Sequence, residues 1–334
     1  MVERGRDPGW FRGASRRRAG AAAAVCEGAL ALLAAWFPSL LAACAGRTEL
    51  APAAPRTGIE VIVLGIAQDG GLPHLGCRRA CCVQARATGR TLDPACLAVV
   101  DHAAGSALLV EATPAIERQV AQVAMPLAGV LVTHAHIGHY LGLAHFGREV
   151  AAARELPVWG SRRLAAFLRG HGPWSQLVDL RQIVLREIEP GVAFVPMPGV
   201  TVTALRVPHR DEFSDTMAFR IRGPNRTVLF VPDVDRWDRE PGLLERLLEG
   251  VDVAYVDGTF WDGRELPGRD LREIPHPPIT DTMERLAELA RERPGTVRFL
   301  HLNHTNPLLH DPELRADLER RGFRVAEQGE RVRL

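Results

Sequence analysis

Residues 128–143, "AGVLVTHAHIGHYLGL", set a short apolar run directly before three histidines, His134, His136 and His139. A run of this kind reads as a strand buried in a sheet, and the imidazoles crowded at its carboxyl end constrain the chain further. In α/β proteins, binding groups sit just beyond strand ends, where loops converge without disturbing the sheet. Three more runs end in the same way: "VTALRVPH" at His209, "VLFVPD" at Asp233 and "VRFLH" at His301. Six potential ligands thus follow four separate predicted strands. Neutral imidazoles and a carboxylate bind a borderline divalent cation well, and an open coordination position admits water or substrate. His102, His145 and His171 lack this setting and read as surface or packing residues.

Elsewhere, "IEVIVLGIA" is a β-branched run ending in the glycine-containing turn "QDGGLPHLG", and "ALLVEATP" is a strand ending near Glu111, with a helix starting after Pro114. "LPVWG", "RQIVLREI", "VAFVPM", "TMAFRIRG", "RTVLFV" and "VDVAYVDG" read as strands. "GLAHFGREVAAAR", "SRRLAAFLRG", "GLLERLLEG" and "ITDTMERLAELARER" read as helices, and a last helix closes the chain near residues 311–321. Strands and helices intermix without a regular βαβ count, which predicts one mixed α/β domain over residues 59–334. A composition 46% hydrophobic and 24% charged supplies the apolar area for its core. The net charge of +1 leaves no basic excess to neutralise phosphates and argues against a nucleic-acid partner.

Residues 1–44 read differently. Six arginines within residues 4–18 precede a mostly apolar stretch ending in "LAAC" at Cys44, the parts of an export signal. "LAAC" resembles a bacterial lipobox, which implies a lipid anchor at Cys44 and a membrane-tethered lipoprotein facing the periplasm or cell exterior; "SRRR" weakly resembles a twin-arginine signal. The other readings are a transmembrane anchor, against which Glu27 and the short apolar run stand, and a misassigned start, with the protein then cytoplasmic. Residues 45–58, "AGRTELAPAAPRTG", read as a flexible tether. Cys26 and Cys44 belong to the export segment, while Cys77, Cys81, Cys82 and Cys96 fall near the start of the folded part, where metal binding and one disulfide are both open.

The histidine pattern resembles the metallo-β-lactamase fold superfamily, whose signature is His-x-His-x-Asp-His followed by a distant His, an Asp and a final His. The resemblance implies an α/β fold of the αββα sandwich type, with mixed sheets flanked by helices. By position it implies His134, His136 and His209 as ligands of a first metal, Asp233 as a bridging acid, and His139 and His301 as ligands of a second. Gly138 stands where the motif has its Asp. The missing carboxylate points to a single-metal centre, or to a second metal held by a replacement such as Asp211 or Asp235. "LGIAQDGGLPHLGC" with the following "CC", "EATPAIERQ", "VDGTFW" and "HLNHTNPLL" also resemble the pyrroloquinoline quinone (PQQ) biosynthesis protein B family, over about residues 60–310. That family has largely lost the His-x-His pair kept here, so the chain looks like a sister branch with a more complete first site. Its cysteine segment resembles the family's structural zinc site, which implies Cys77, Cys81, Cys82 and His304 as zinc ligands, with Arg79 in place of the middle cysteine.

The expectation is a metal-dependent enzyme acting on a small-molecule substrate, with one active-site ion and a structural zinc. As a hydrolase, it would use metal-bound hydroxide against an ester, amide or phosphoester, with Asp233 completing the site and His139 as proton carrier or second-site ligand. Zinc is the expected metal; iron is the alternative and goes with an oxygenase related to PQQ biosynthesis. A third reading, motivated by Gly138, is a non-catalytic membrane-tethered carrier of a quinone-like molecule. Asp257 is expected to orient a ligand histidine or to hold a turn. Asp215 and Arg210 face either an anionic substrate or solvent, and Trp174 either lines a pocket or packs. No phosphate-cradling glycine loop is present.

Overall fold

The computed structural model describes residues 57–270 and 273–334. The expected export segment, with the lipid-anchor site expected at Cys44, and nearly all of the expected tether lie outside the described residues. Among the described residues, no helix is long and apolar enough to cross a membrane.

Two seven-stranded sheets form the frame. The first takes β1 (Ile59–Gly65), β2 (Cys96–Asp101), β3 (Ser106–Val110), β4 (Leu127–Leu131), β5 (Leu156–Ser161) and β6 (Ile183–Ile188). The second takes β7 (Ala193–Met197), β8 (Val200–Val207), β9 (Thr216–Arg222), β10 (Thr227–Val231), β11 (Val253–Asp257), β12 (Val297–Leu300) and β13 (Arg324–Val325). The last strand, β14 (Arg331–Arg333), returns to pair antiparallel with β1, Val61 opposite Val332. Both sheets are mixed: β1 to β3 and β7 to β10 run antiparallel, whereas β3 to β6 and β10 to β13 run parallel.

Alternation along β1 shows how one strand serves two cores. Val61 and Val63 point into the layer between the sheets, with Val99, Phe219 and Phe230. Ile62 and Leu64 turn to the opposite face, where Ile116, Leu164 and Leu168 of the helices Ile116–Val123 and Arg162–Gly170 cover them. A strand buried on both faces reads as a continuous apolar run, and β1, β2 and β4 do. Beyond the second sheet, the helices Leu243–Leu248 and Ile279–Arg285 add Leu243, Leu247 and Met283 to the core. The result is the predicted αββα sandwich.

Local departures have local causes. The helix expected after Gly142 is only a 3-10 turn, Leu141–Phe146. Gly142 rests on the neighbouring strand end, where an added Cβ would lie 2.9 Å from the Ala112 carbonyl oxygen, and Ala152 and Glu155 take φ of 46° and 53°, outside any helix. The long helix expected from Ile279 breaks at Leu286 (φ −105°, ψ 14°) into Ile279–Arg285 and Ala287–Glu292. The helix Ala80–Thr88 and strands β2 and β14 have no counterpart in the sequence reading.

Phe219, fully buried between the sheets, fills space that neither sheet can collapse into. Phe219→Ala is expected to destabilise the fold by about 3–5 kcal/mol in denaturant unfolding; a loss below about 1 kcal/mol would contradict this packing.

Candidate metal centre

The carboxyl ends of β3, β4, β10, β11 and β12 carry Glu111, the Thr133–His134 pair, Asp233, Asp257 and His301, and the turn after β8 adds His209. These side chains converge, and all seven are buried, none more than 8% exposed. His134, His136 and His209 form one group of atoms within ligand reach of each other, and Asp69, His139 and His301 form another. Asp233 stands between them. Its Oδ2 is 2.7 Å from His139 Nε2 and 3.5 Å from His134 Nε2, and its Oδ1 is 3.5 Å from Nδ1 of both His301 and His276.

Acids behind the imidazoles decide which nitrogen faces inward. The Thr133 hydroxyl donates to Glu111 Oε1 (2.6 Å), because a carboxylate can only accept. His134 Nδ1, 2.9 Å from the same hydroxyl, must then be the protonated nitrogen, leaving the Nε2 lone pair for the centre. The same device recurs at His301. Thr259 donates to Asp257 Oδ1 (2.7 Å) and lies 2.9 Å from His301 Nδ1, so His301 Nε2 is left free, 3.4 Å from Asp69 Oδ1. Glu212 accepts from His136 Nε2 at 2.8 Å, and Asp235 lies 3.6 Å from His209 Nδ1. With those protons placed, His134 Nε2 and His136 Nδ1 turn lone pairs toward each other across 2.9 Å. That contact is repulsive unless a cation lies between them. Neither ring nitrogen of His139 or His209 makes a directed hydrogen bond, nor does Asp233 Oδ1, although all are buried. A set of inward-facing, unpartnered donors fits a divalent metal.

The electrostatics agree. Burial opposes charge on Asp233, but His301, His139 and His209 outweigh it and hold the carboxyl well below the usual carboxylate range. For Asp69 burial again opposes, and His139 and His301 again dominate, with the same downward result. Burial and the neighbouring His139 push His134 well below an ordinary histidine, so it is neutral, as a ligand must be. Burial would lower His139 too, yet Asp233 and Glu111 draw it well above the ordinary value. Two ionised carboxylates thus face one favoured imidazolium, whose charge a bound cation takes over. Strain accompanies the site: Glu111 (φ 80°) and His301 (φ 60°) both occupy the left-handed region, at a cost on the order of 1–3 kcal/mol each.

Neither acid that the sequence offers in place of the missing motif carboxylate reaches the centre. Asp211 is turned away, pairing with Arg206 and Arg163, and Asp235 lies behind His209. Instead Asp69, in the glycine-rich turn after β1, lies 3.3 Å from His139 Nε2. His276, in the proline-flanked loop before Ile279, was also missed; it follows no strand, and only its histidine marked it. Its Nδ1 donates to Asp257 Oδ2 (2.7 Å), so Asp257 both orients histidines and holds the turn through the Val234 and Thr259 amides. Asp215 bonds Ser161, Arg210 lies 3.8 Å from Glu212, and Trp174 packs on Tyr140 and Phe167.

A second cluster gathers Cys77, Cys81, Cys82 and His304 within ligand reach. The amides of Arg79 and His74 point at Cys77 Sγ (3.4 Å) and Cys82 Sγ (3.3 Å). Burial pushes the Cys82 thiol up; the His74 amide opposes this, but Cys77 and Cys81 add to it, for a result of about 11. Burial, then His74 and Arg79, push His304 down to about 4, and its Nδ1 is buried without a partner. Among the described residues Cys77, Cys81, Cys82 and Cys96 form no disulfide, and Cys96 is buried apart, its thiol donating to the Leu97 and Glu111 carbonyls.

A family model described as a beta-lactamase superfamily domain matches residues 98–331. Coenzyme PQQ synthesis protein B of Methylobacterium sp. (strain 4-46) is 27% identical over 302 residues, covering 81% of this chain and 98% of the relative. Its counterpart in Cupriavidus necator is 27% identical over 312 residues, with 82% and 99% covered. The solved structure of Zn2+-bound PqqB from Methylobacterium extorquens matches with a TM-score of 0.72 at 23% identity, over 82% of this chain and 100% of that one. A diphosphatase from the PhnP family matches with a TM-score of 0.62 at 19% identity, over 83% and 97%. At these identities the two structures speak for the fold.

Glu111→Gln keeps the shape and removes the charge behind Thr133 and His139. Zinc affinity of the centre, read by calorimetric titration, is expected to fall about 10–100-fold; unchanged affinity would sink the orienting role given to Glu111.

Proposed function

This chain belongs to the beta-lactamase superfamily, and on that premise we propose that it is a metal-dependent hydrolase of a small molecule, with its active-site cation held by His134, His136, His209 and Asp233. The observation that carries the reading is the pair of facing lone pairs on His134 and His136, beside a buried His209 whose ring nitrogens make no directed hydrogen bond. A divalent cation bound there supplies Lewis acidity and lowers the pKa of a coordinated water to about 7. The chain's own residues do the rest. Glu111 through Thr133 and Glu212 directly hold the imidazoles in the tautomers that present lone pairs. Asp233, kept ionised by the neighbouring histidines, places a full negative charge at the centre and would serve as the cation's carboxylate ligand.

Zinc is the metal proposed, in keeping with the Zn2+-bound PqqB whose fold the chain shares. The cysteine cluster is proposed as a closed structural zinc site. Its three thiols and one neutral imidazole leave no position for substrate.

Elemental mass spectrometry of the purified full chain and of His134→Ala tests the reading, together with turnover of chromogenic carboxylic and phosphoric esters. His134→Ala is expected to lose metal from the histidine centre, keep the cysteine-bound equivalent, and lose more than about 100-fold in rate, since even outer partners of a ligand cost about 10–100-fold. Full metal content in His134→Ala would overturn the assignment. Iron in place of zinc, with oxygen consumed and no ester cleaved, would replace the hydrolase with an oxygenase. Cys82→Ser is expected to lose one zinc, retain the metal at the histidines, and melt at least about 5 °C lower; an unaltered zinc count would remove the structural site.

A further inference from the structure

Gly138 lies within the single helical turn Ile137–Tyr140, and its φ is not in the left-handed region. The backbone there has no need of glycine, which is less favourable than alanine in a helix. Space accounts for it instead. A Cβ added at Gly138 would overlap Asp69 Oδ1 and lie 2.5 Å from Asp69 Cγ and 2.9 Å from Asp69 Cα. The Asp69 carboxylate therefore fills the volume that a side chain at position 138 would take. Its Oδ1 is 3.3 Å from His139 Nε2 and 3.4 Å from His301 Nε2, and Asp233 Oδ2 is 2.7 Å from that same His139 nitrogen.

The turn holding Asp69 is fixed on both sides. The Gln68 amide donates to the Leu302 carbonyl (2.9 Å), and Asn303 Nδ2 donates to Gln68 Oε1 (2.5 Å), so Asp69 is tied to the segment that carries His301. On the other side Gly71, at φ +66°, brings the chain so close to Leu92 that an added Cβ would lie 2.9 Å from its carbonyl oxygen. The turn that carries the carboxylate is thus fixed on both sides, which favours a preorganised ligand site.

We propose that Asp69 is the anionic ligand of a second divalent cation, held with His139, His301 and Asp233, so that the centre binds two cations with one ligand moved from the helix to the turn after β1. This rests on the metal-dependent reading above and deepens it. Gly138 is then the accommodation that lets the relocated carboxylate in, and the exchange of Asp for Gly in the motif leaves the number of anionic ligands unchanged.

The test uses the full chain, metal counts by elemental mass spectrometry, and Co2+ titration, in which thiolate charge-transfer bands separate the cysteine site from the histidine centre. The wild-type centre is expected to take two Co2+ beyond the cysteine-bound one. Asp69→Asn, nearly isosteric, is expected to keep the first and bind the second more than about 100-fold more weakly. Gly138→Ala, which adds no donor and removes none, is expected to do the same by displacing the Asp69 carboxylate; if it fails to fold, Asp69→Asn decides alone. Two tightly bound Co2+ in Asp69→Asn, or a wild-type centre that takes only one, would overturn this inference and leave the metal-dependent reading standing. A wild-type histidine centre that takes none would overturn both.

Discussion

Glu111, at the end of β3, accepts the Thr133 hydroxyl and faces His139, and through these contacts it orients both His134 and His139. Buried imidazoles left to themselves would pair with each other or with whatever acid lay nearest. Here Glu111, Glu212, Asp235 and Asp257 stand behind the rings and draw the protons outward, so that the remaining lone pairs meet in one small volume. Such an arrangement is costly without a cation, because buried unpartnered nitrogens forfeit their hydrogen bonds to water. The two sheets supply the offsetting stability: their shared core is continuous from β1 to β12, and the site sits at its rim.

The cysteine cluster bears on the same centre from a distance. It joins the segment after Pro73 to His304, three residues beyond His301, while Asn303 ties that same C-terminal segment to Gln68. Arg86 adds two bonds, to the carbonyls of His74 and Cys77, that close the turn on itself. The positions of Asp69 and His301 are thus coupled through backbone and cysteine contacts. A metal held by these four residues would tie the two segments together at a closed site with no room for substrate.

The resemblance to PQQ synthesis protein B extends over 81% of the chain, at 27% identity. A shared fold hosts many chemistries, and the reaction follows from the ligands and the groups that orient them.

The strands and the histidines beyond them were legible because both signals are local. A buried strand is an apolar run, and an imidazole at its end is conspicuous one to three residues later, as at His134, His209 and His301. Asp69 and His276 were not legible for the opposite reason. Asp69 lies in a glycine-rich turn and His276 in a proline-flanked loop, and nothing periodic connects either to the strand ends it reaches. The helix expected after Gly142 failed similarly, since contact with Ala112 is invisible to helical spacing. By itself the sequence determined that six ligand-type side chains follow apolar strands, because alternation and burial are properties of neighbouring residues. Only the tertiary structure decided that a carboxylate 69 positions before Gly138 takes the place its side chain would occupy, because that depends on two loops meeting in space.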